Sequence, residues 1–542
     1  MSTAVTRLLV RRWGLPDVAV PVVDRFLDAW AAGHTSIDIR PDEVALLTSC
    51  PAVSDGSRQA PLVIRGSRLQ SWRLDQAEAR VARRLRRLVT EEPTGDAIEL
   101  EEMDALFPDG ASAQRRVAGA SLRQKCVLVT GGPGTGKTTV AGRVLALLAS
   151  RTADLRIALA APTGKAAVRL GEAIGGAVSG LASRFVEVAS RLEVAAGEAC
   201  TLHRLLGWQP RTGRCLFHAG NPLPYDVIVV DEASMLDLML WDRLLEAIAS
   251  ETRLVMLGDH RQLASVEPGR VLGELVVAAD EGLLGDAHVD LEQNYRFDAD
   301  AAIGRLADAV RTHDGDLALE VLTDADAPGD AVQYCAAALD EAVDAIWPHV
   351  LDVIRSRTPE AALEALARVR ILCALNEGPY GATGLNARIE NRLEQAGVVV
   401  GSSAHGRPVI VRVNDRQHSG LVNGDVGVVL RGFGSHESGV YFQTPGTGQT
   451  RRVAVEAMPQ HDTAWALTVH RAQGSEFDAV VLVLPPMAHE LVTPELLYTG
   501  VTRARARVLV VADDGAIRAA CQRRESRRSG LSEKLRSLLD LN

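Results

Sequence analysis

The feature that most constrains this chain is Gly131-x-x-x-x-Gly136-Lys137-Thr138, set between the apolar run CVLVTG and a helix-forming stretch. Glycines at that spacing let a strand turn sharply into a helix while successive N–H groups converge on one point. Converged donors at a helix N-terminus make a phosphate cradle. The loop Gly131, Gly132, Pro133, Gly134, Thr135, Gly136, Lys137, Thr138 and Thr139 is therefore expected to hold the β- and γ-phosphates of ATP. Lys137 supplies a point charge there, and the Thr138 hydroxyl is a candidate ligand for Mg²⁺. Lysine is scarce: Lys125, Lys137, Lys165 and Lys534 are the whole complement, so a chance occurrence of the pattern is rare.

A triphosphatase also needs carboxylates, and DVIVVDEAS delivers two at the end of an apolar strand. Asp231 is expected to hold Mg²⁺, and Glu232 beside it to orient and deprotonate an attacking water. An acid next to the metal ligand favours water as nucleophile, hence a hydrolase rather than a kinase. After a third strand, LGDHRQL places Gln262 where an amide can feel a γ-phosphate. Arg296 in LEQNYRF and Arg503 in YTGVTRARA are candidates to reach the transition-state charge. Either arginine taken alone would more often be a surface ion pair.

Around these motifs short β-rich runs alternate with helical segments: CVLVTG, RIALAAPTG, DVIVVDEAS and RLVMLGD, then RILCAL, AVVLVLPP and RVLVVAD. That rhythm predicts an α/β protein with parallel sheets whose strand ends carry the ligand groups. Between the sets, at about 405–460, PVIVRVND, VNGDVGVVL, GVYFQT and RRVAVEA read as short antiparallel strands with Asn-Gly and Gly-rich turns, predicting a small β-barrel insertion. Residues 1–110 read as a mainly helical region closed by an acidic, turn-rich linker over 91–112. The segment from Arg523 onward reads as a charged amphipathic helix, either solvated or docked.

With 542 residues, two to four domains are expected, and 47% hydrophobic residues suffice for several cores. A net charge of −10 excludes a surface coated in basic patches, so any nucleic-acid contact must be local. No apolar run reaches membrane-spanning length and no signal peptide is evident, which predicts a cytoplasmic protein without membrane contact. The seven cysteines are scattered, predicting reduced thiols. Cys200-x-x-His203 with Cys215-x-x-His218 is a conceivable zinc quartet, but such sites usually pair Cys with Cys at the short spacing.

In order, Gln114, GGPGTGKTT, APTGKAA, TLHRLLG, VVDEAS, GDHRQL, LEQNYRF, ALTVHRAQGSEFD and LYTGVTRAR resemble the complete motif ladder of superfamily-one DNA helicases over residues 114–505. Within it, TLHRLLG before VVDEAS, ILCALNEGPYGATGLN, and NGDVGVV ahead of VHRAQGSEFD resemble the RecD family, the α subunits of the RecBCD exodeoxyribonuclease V.

That resemblance implies two RecA-like motor domains, at 111–335 and 336–542, the second carrying an SH3-like barrel, behind a helical docking domain at 1–110. It implies ATP-driven 5′→3′ movement on single-stranded DNA, within a complex with RecB-like and RecC-like subunits that processes double-strand breaks for recombinational repair. Carried over, Gln114 contacts adenine, Glu476 holds ribose or phosphates, Gln262 couples, and Arg296 and Arg503 are arginine fingers. Pro162, Thr163, Lys165, His203, Thr468, His470 and Arg471 would meet DNA. Their plainer alternatives are a helix cap for Thr163 and an interior position for His203. No iron–sulfur cysteine set and no nuclease cluster follows the last motif, so the nuclease centre is expected in a partner. A stand-alone helicase and an ATP-gated regulatory subunit are the competing readings; the short front region favours the complex-bound type.

Overall fold

A computed structural model of the chain describes residues 2–90, 100–107, 112–179, 186–292, 302–324, 331–336, 338–415, 418–432, 436–444, 449–486, 489–523 and 527–539. Two parallel-sheet α/β lobes carry the motifs. In the first, six strands lie in the order His288–Leu291, Cys126–Gly131, Arg253–Gly258, Val227–Val230, Ile157–Ala161, Cys200–Thr201. Val227–Val230 reads VIVV and is buried throughout, as a central strand covered on both faces must be. Alternation then sorts the side chains. Ile228, Val230, Leu254 and Met256 enter one core beneath helices Trp72–Thr90 and Leu238–Ala247. Val227, Val229, Val255 and Leu257 enter the opposite core beneath helices Lys137–Arg151 and Gly164–Ser179.

The second lobe repeats the plan with five parallel strands, Val332–Ala336, Ala504–Ala512, Phe477–Val483, Val369–Cys373 and Ala466–Thr468. The lobe boundary expected at 335/336 falls earlier. Strand Val332–Ala336 pairs with Val508–Ala512, and Ile303, Leu306, Val310 and Leu322 pack with Val480, Leu482 and Leu496 in the second lobe's core. Hydrophobic partners, not distance along the chain, decide which sheet these helices cover.

Between Val369–Cys373 and Ala466–Thr468 the chain forms a five-stranded antiparallel sheet ordered Thr450–Val453, Gly439–Gln443, Val426–Leu430, Pro408–Val411, His461–Thr463. Val409, Val429, Val440 and Phe442 make its own small core. On the other face Val428, Leu430 and Tyr441 join the second lobe.

The helical expectation for the front region covers only part of it. Helices Ser2–Trp13, Val20–Ala31 and Pro41–Thr48 pack with a four-stranded sheet ordered Ser36–Asp38, Arg68–Ser71, Leu62–Arg65, Val53–Ser54. Its last strand in the chain runs straight into helix Trp72–Thr90, whose stripe Leu74, Ala77, Val81, Leu85 and Leu88 covers the first lobe. Arg80 and Arg84 fix that helix by gripping Asp242, at 2.5 Å and 2.7 Å. Of the acidic linker, 91–99 and 108–111 lie outside the described residues, while Leu100–Leu106 is helical with Leu106 and Phe107 buried in the first lobe.

Helix Leu531–Leu539 returns from the second lobe to the front region and the first lobe. Leu531 and Leu535 are fully buried there. Lys534 Nζ lies 2.6 Å from Glu78 Oε2 and 3.0 Å from Asp75 Oδ1, two carboxylates with no solvent exposure. Ser532 donates its N–H and hydroxyl to Glu274, each at 3.0 Å, and Arg528 pairs with Asp38. No described helix is long and apolar enough to cross a membrane.

Candidate active site between the lobes

The buried strand Cys126–Gly131 delivers the phosphate loop, and helix Lys137–Arg151 leaves it. Gly134 and Gly136 have φ of 82° and 81°, the left-handed region that glycine enters without strain. Lys137 Nζ folds over the loop, donating to the carbonyls of Gly131 at 2.6 Å and Gly132 at 2.9 Å. Thr135 Oγ1 donates to the same Gly132 carbonyl at 2.9 Å, bracing the turn. Pro133 is buried, Thr138 half-buried and Thr139 exposed.

Asp231 follows strand Val227–Val230, its N–H held by Ala160 at 3.0 Å. Its carboxylate accepts the Glu232 N–H at 2.8 Å. Burial, then the charge of Glu232, raises the Asp231 carboxyl, and Lys137 and the Thr138 hydroxyl oppose them. Asp231, Glu232, Lys137 and Thr138 thus share one electrostatic pocket. Glu232 sits at φ 53°, ψ 41°, a left-handed conformation that costs a residue with a Cβ about 1–2 kcal/mol. Gln114, on helix Ser112–Arg123, accepts from Arg143 of the loop's own helix at 3.3 Å.

The lobes meet over this pocket through buried polar groups. Gln262 donates to Asp259 at 3.0 Å and accepts from Arg503 of the second lobe at 2.9 Å. Arg503, 3% exposed, also donates to the carbonyls of Thr499 and Ser475. The Leu263 N–H donates to Thr499 Oγ1 at 2.9 Å, and Gln473 to the Leu263 carbonyl at 3.0 Å. Glu476 pairs with Arg505 at 3.2 Å. Arg296 lies outside the described residues.

Pro162, Thr163 and Lys165 stand at the start of helix Gly164–Ser179. Thr163 Oγ1 accepts the Ala166 N–H at 3.2 Å, the capping role its position allows. Lys165 keeps contact with solvent and donates to Ser475 Oγ at 2.7 Å across the lobes. The protein around it, then Arg169 and Arg370, lower its pKa to about 7, with Asp425 opposing. Thr468 accepts from the Arg471 N–H at 3.3 Å, Arg471 pairs with Asp462 at 2.9 Å, and His470 is half-buried beside them. A Cβ on Gly474 would lie 3.8 Å from Thr163 Oγ1, so the two sets adjoin. His203 is exposed, not interior, its ring edge toward Trp208 at 6.2 Å, and Arg243 lies over that indole at 4.0 Å. Of the conceivable zinc quartet, Cys215 packs against the first lobe's core, and His218 accepts the Gly220 N–H at 3.1 Å.

Residues 114–268 match the AAA domain family and residues 463–511 the UvrD-like helicase C-terminal domain. The RecBCD enzyme subunit RecD of Mycolicibacterium smegmatis is 40% identical over 461 residues, spanning 83% of this chain and 79% of that protein. The chain belongs to the RecD family. The RecBCD enzyme subunit RecD of Haemophilus influenzae is 30% identical over 536 residues, spanning 88% of this chain and 82% of its own length. Among solved structures, the Pif1 helicase from Candida albicans has 16% identity and a TM-score of 0.40, covering 82% of this chain and 100% of that one.

With its AAA domain, this RecD-family chain is a nucleotide-binding protein. Its lobe junction also holds Asp259, Gln473, Ser475, Tyr498 and Thr499, which motif patterns did not mark. Tyr498 and Thr499 were within sight, one helical turn before Arg503 in LYTGVTRAR. The partner of Thr499, Leu263, lies 236 residues away in sequence, beyond any local signal.

Proposed function

We propose that this RecD-family chain is an ATP-hydrolysing 5′→3′ DNA helicase that works with RecB-like and RecC-like subunits on double-strand breaks in the cytoplasm. The observation that carries this reading is the Gln262–Arg503 hydrogen bond, which joins the lobe holding the phosphate loop to the other across a buried junction. A group on the phosphate loop can change the distance between the lobes only if it interacts differently with their closed and open arrangements. Gln262 and Arg503, joined across the junction, are the groups we assign to that difference.

In the hydrolytic step Lys137 neutralises phosphate charge, and Glu232 takes a proton from water as its oxygen attacks the γ-phosphorus. The bond to the ADP oxygen breaks, and Arg503 with Arg296 stabilises the charge that develops. Thr138 and Asp231 offer hard oxygen ligands beside each other, a donor set that fits Mg²⁺. When bound, the ion would spread the charge of the phosphate oxygens. Gln114 and Glu476 would hold the base and sugar sides of the nucleotide.

We assign single-stranded DNA to the groove where Pro162, Thr163 and Lys165 adjoin Thr468, His470 and Arg471, with His203 further along. Short cationic patches on an acidic chain suit a grip that must form and release in each cycle. The antiparallel insertion is read as an SH3-like barrel, the front region as the RecC-docking domain, and the nuclease centre as a partner's. Regulation of a partner nuclease without movement is disfavoured because the sequence keeps Glu232, Arg296 and Arg503.

The test is strand separation by the purified chain on duplexes with a 5′ or a 3′ single-stranded tail, with Lys137→Gln as the blank. Unwinding from the 5′ tail, lost in the variant, is the expected result. DNA-stimulated hydrolysis without unwinding would assign movement to the assembled complex, and unwinding from the 3′ tail would overturn the polarity.

A further inference from the structure

A Cβ added at Gly132 would stand 2.9 Å from the hydroxyl oxygen of Tyr498. Among the described residues, apart from its chain neighbours, no other atom comes within 4 Å of that point. The face of the phosphate loop at Gly132 is therefore covered by one oxygen atom, and that atom belongs to the opposite lobe. Tyr498 lies on helix Pro494–Val501 and is buried, with its hydroxyl facing the carboxylate of Asp259.

Asp259 is itself 1% exposed and accepts from the Arg261 N–H at 3.1 Å and Gln262 Nε2 at 3.0 Å. Gln262 passes the contact on to Arg503. A phenol has a single proton to donate, and in a dry junction its choice of acceptor carries more energy than in water. The Tyr498 hydroxyl stands between two acceptor positions, the Asp259 carboxylate and the mouth of the loop.

We propose that Tyr498 is the positioning residue through which the second lobe reads the phosphate loop, turning its O–H from Asp259 to a nucleotide phosphate oxygen and thereby resetting the Asp259–Gln262–Arg503 chain. The proposal deepens the motor reading and rests on it. Asp259 is the pivot: relieved of the phenol, its carboxylate keeps Arg261 and Gln262. The amide bonded to Arg503 then shifts with it. Gly132 has no side chain because the reading oxygen needs that space.

The experiment uses the purified full chain, single-stranded DNA, and the variants Tyr498→Phe, Gly132→Ala and their combination. Two quantities are read: steady-state hydrolysis, and the ratio of DNA affinities with a non-hydrolysable ATP analogue and with ADP. Tyr498→Phe keeps the ring and removes the oxygen. The expected result is a fall of about tenfold in kcat with KM for ATP within about twofold, and an affinity ratio collapsing toward one. Gly132→Ala should lose turnover in the native background and recover part of it with Tyr498→Phe, because the clashing oxygen is gone.

An unchanged kcat and affinity ratio in Tyr498→Phe overturns the proposal. So does a raised KM with kcat intact, which would make the hydroxyl a mere binding contact. If Tyr498→Phe fails to fold, Asp259→Asn decides in its place: an affinity ratio unchanged there overturns the proposal, and a ratio collapsing toward one supports it. A native chain without DNA-stimulated hydrolysis would instead defeat the motor reading, and the proposal with it.

Discussion

Glu232 is one of two non-glycine residues with positive φ among the described residues, the other being His313. A strained residue between Asp231 and the turn Ala233–Met235 aims its carboxyl by backbone geometry, and such strain persists where the surroundings enforce it. Replacing Glu232 with glycine should therefore separate stability from turnover. The strain is relieved by about 1 kcal/mol, so the melting temperature should hold or rise slightly, while ATP turnover falls by about 10²-fold or more. Thermal melts and steady-state hydrolysis of the same sample check both. At this scale the candidate site was legible wherever its residues are close in sequence. Gly131 to Thr139 and Asp231–Glu232 announce themselves because strand, turn and helix follow each other within ten residues. Tyr498 and Asp259 stayed hidden because only the packing of two lobes brings them together. Thr163 and Thr468 show the converse: both sit where DNA contacts were expected, and both hydroxyls accept backbone N–H groups.

Among the elements, helix Ala382–Gln395 pins the way out of the antiparallel insertion through Asn386 and Glu390, the latter accepting from Thr463 Oγ1 at 3.1 Å. Asn386 donates to the carbonyls of Thr463 and Ala466 at 3.1 Å and 3.0 Å, and accepts the Ala466 N–H at 2.9 Å. Removing it strands buried backbone groups, each costing about 1–3 kcal/mol. Asn386→Ala should lower stability by about 2–3 kcal/mol and speed amide exchange over residues 461–468 before the phosphate-loop strand is affected. Exchange uniformly faster across both lobes would refute so local a role. Strands were legible from long β-branched runs such as FDAVVLV and ARARVLVVA. Val53–Ser54, Ser36–Asp38 and His461–Thr463 escaped notice because two or three residues cannot display an alternation, and the last reads HDT.

In the whole molecule, helix Leu531–Leu539 closes the front region onto the first lobe with buried charge. Lys534→Met should destabilise by about 3–5 kcal/mol, since Asp75 and Glu78 would lose their shared cation in a solvent-free site. Glu274, raised to about 7 by burial and by Glu78, adds a pH dependence. Between the ordinary carboxyl range and about 7 the folded chain keeps a proton that the unfolded chain has released. Stability therefore falls as pH rises through that window and levels off above it. Asp75 acts in the opposite sense and lower: burial pulls it up, Arg65 and Lys534 outweigh that, and its contribution is lost only as acid protonates it. The native chain's advantage in melting temperature over Glu274→Gln should therefore be largest near pH 5 and shrink as pH rises through about 7.

Glu78 and Lys534 are 456 positions apart. On a ribosome adding about 5–20 residues per second, roughly 20 to 90 seconds separate their synthesis. For all that time Glu78 waits without Lys534, while both lobes are made and begin to fold. The front region is thus made before both lobes and sealed after them. Its completion certifies that everything between has been translated, and a nascent chain stalled before residue 527 would present an unfinished surface there.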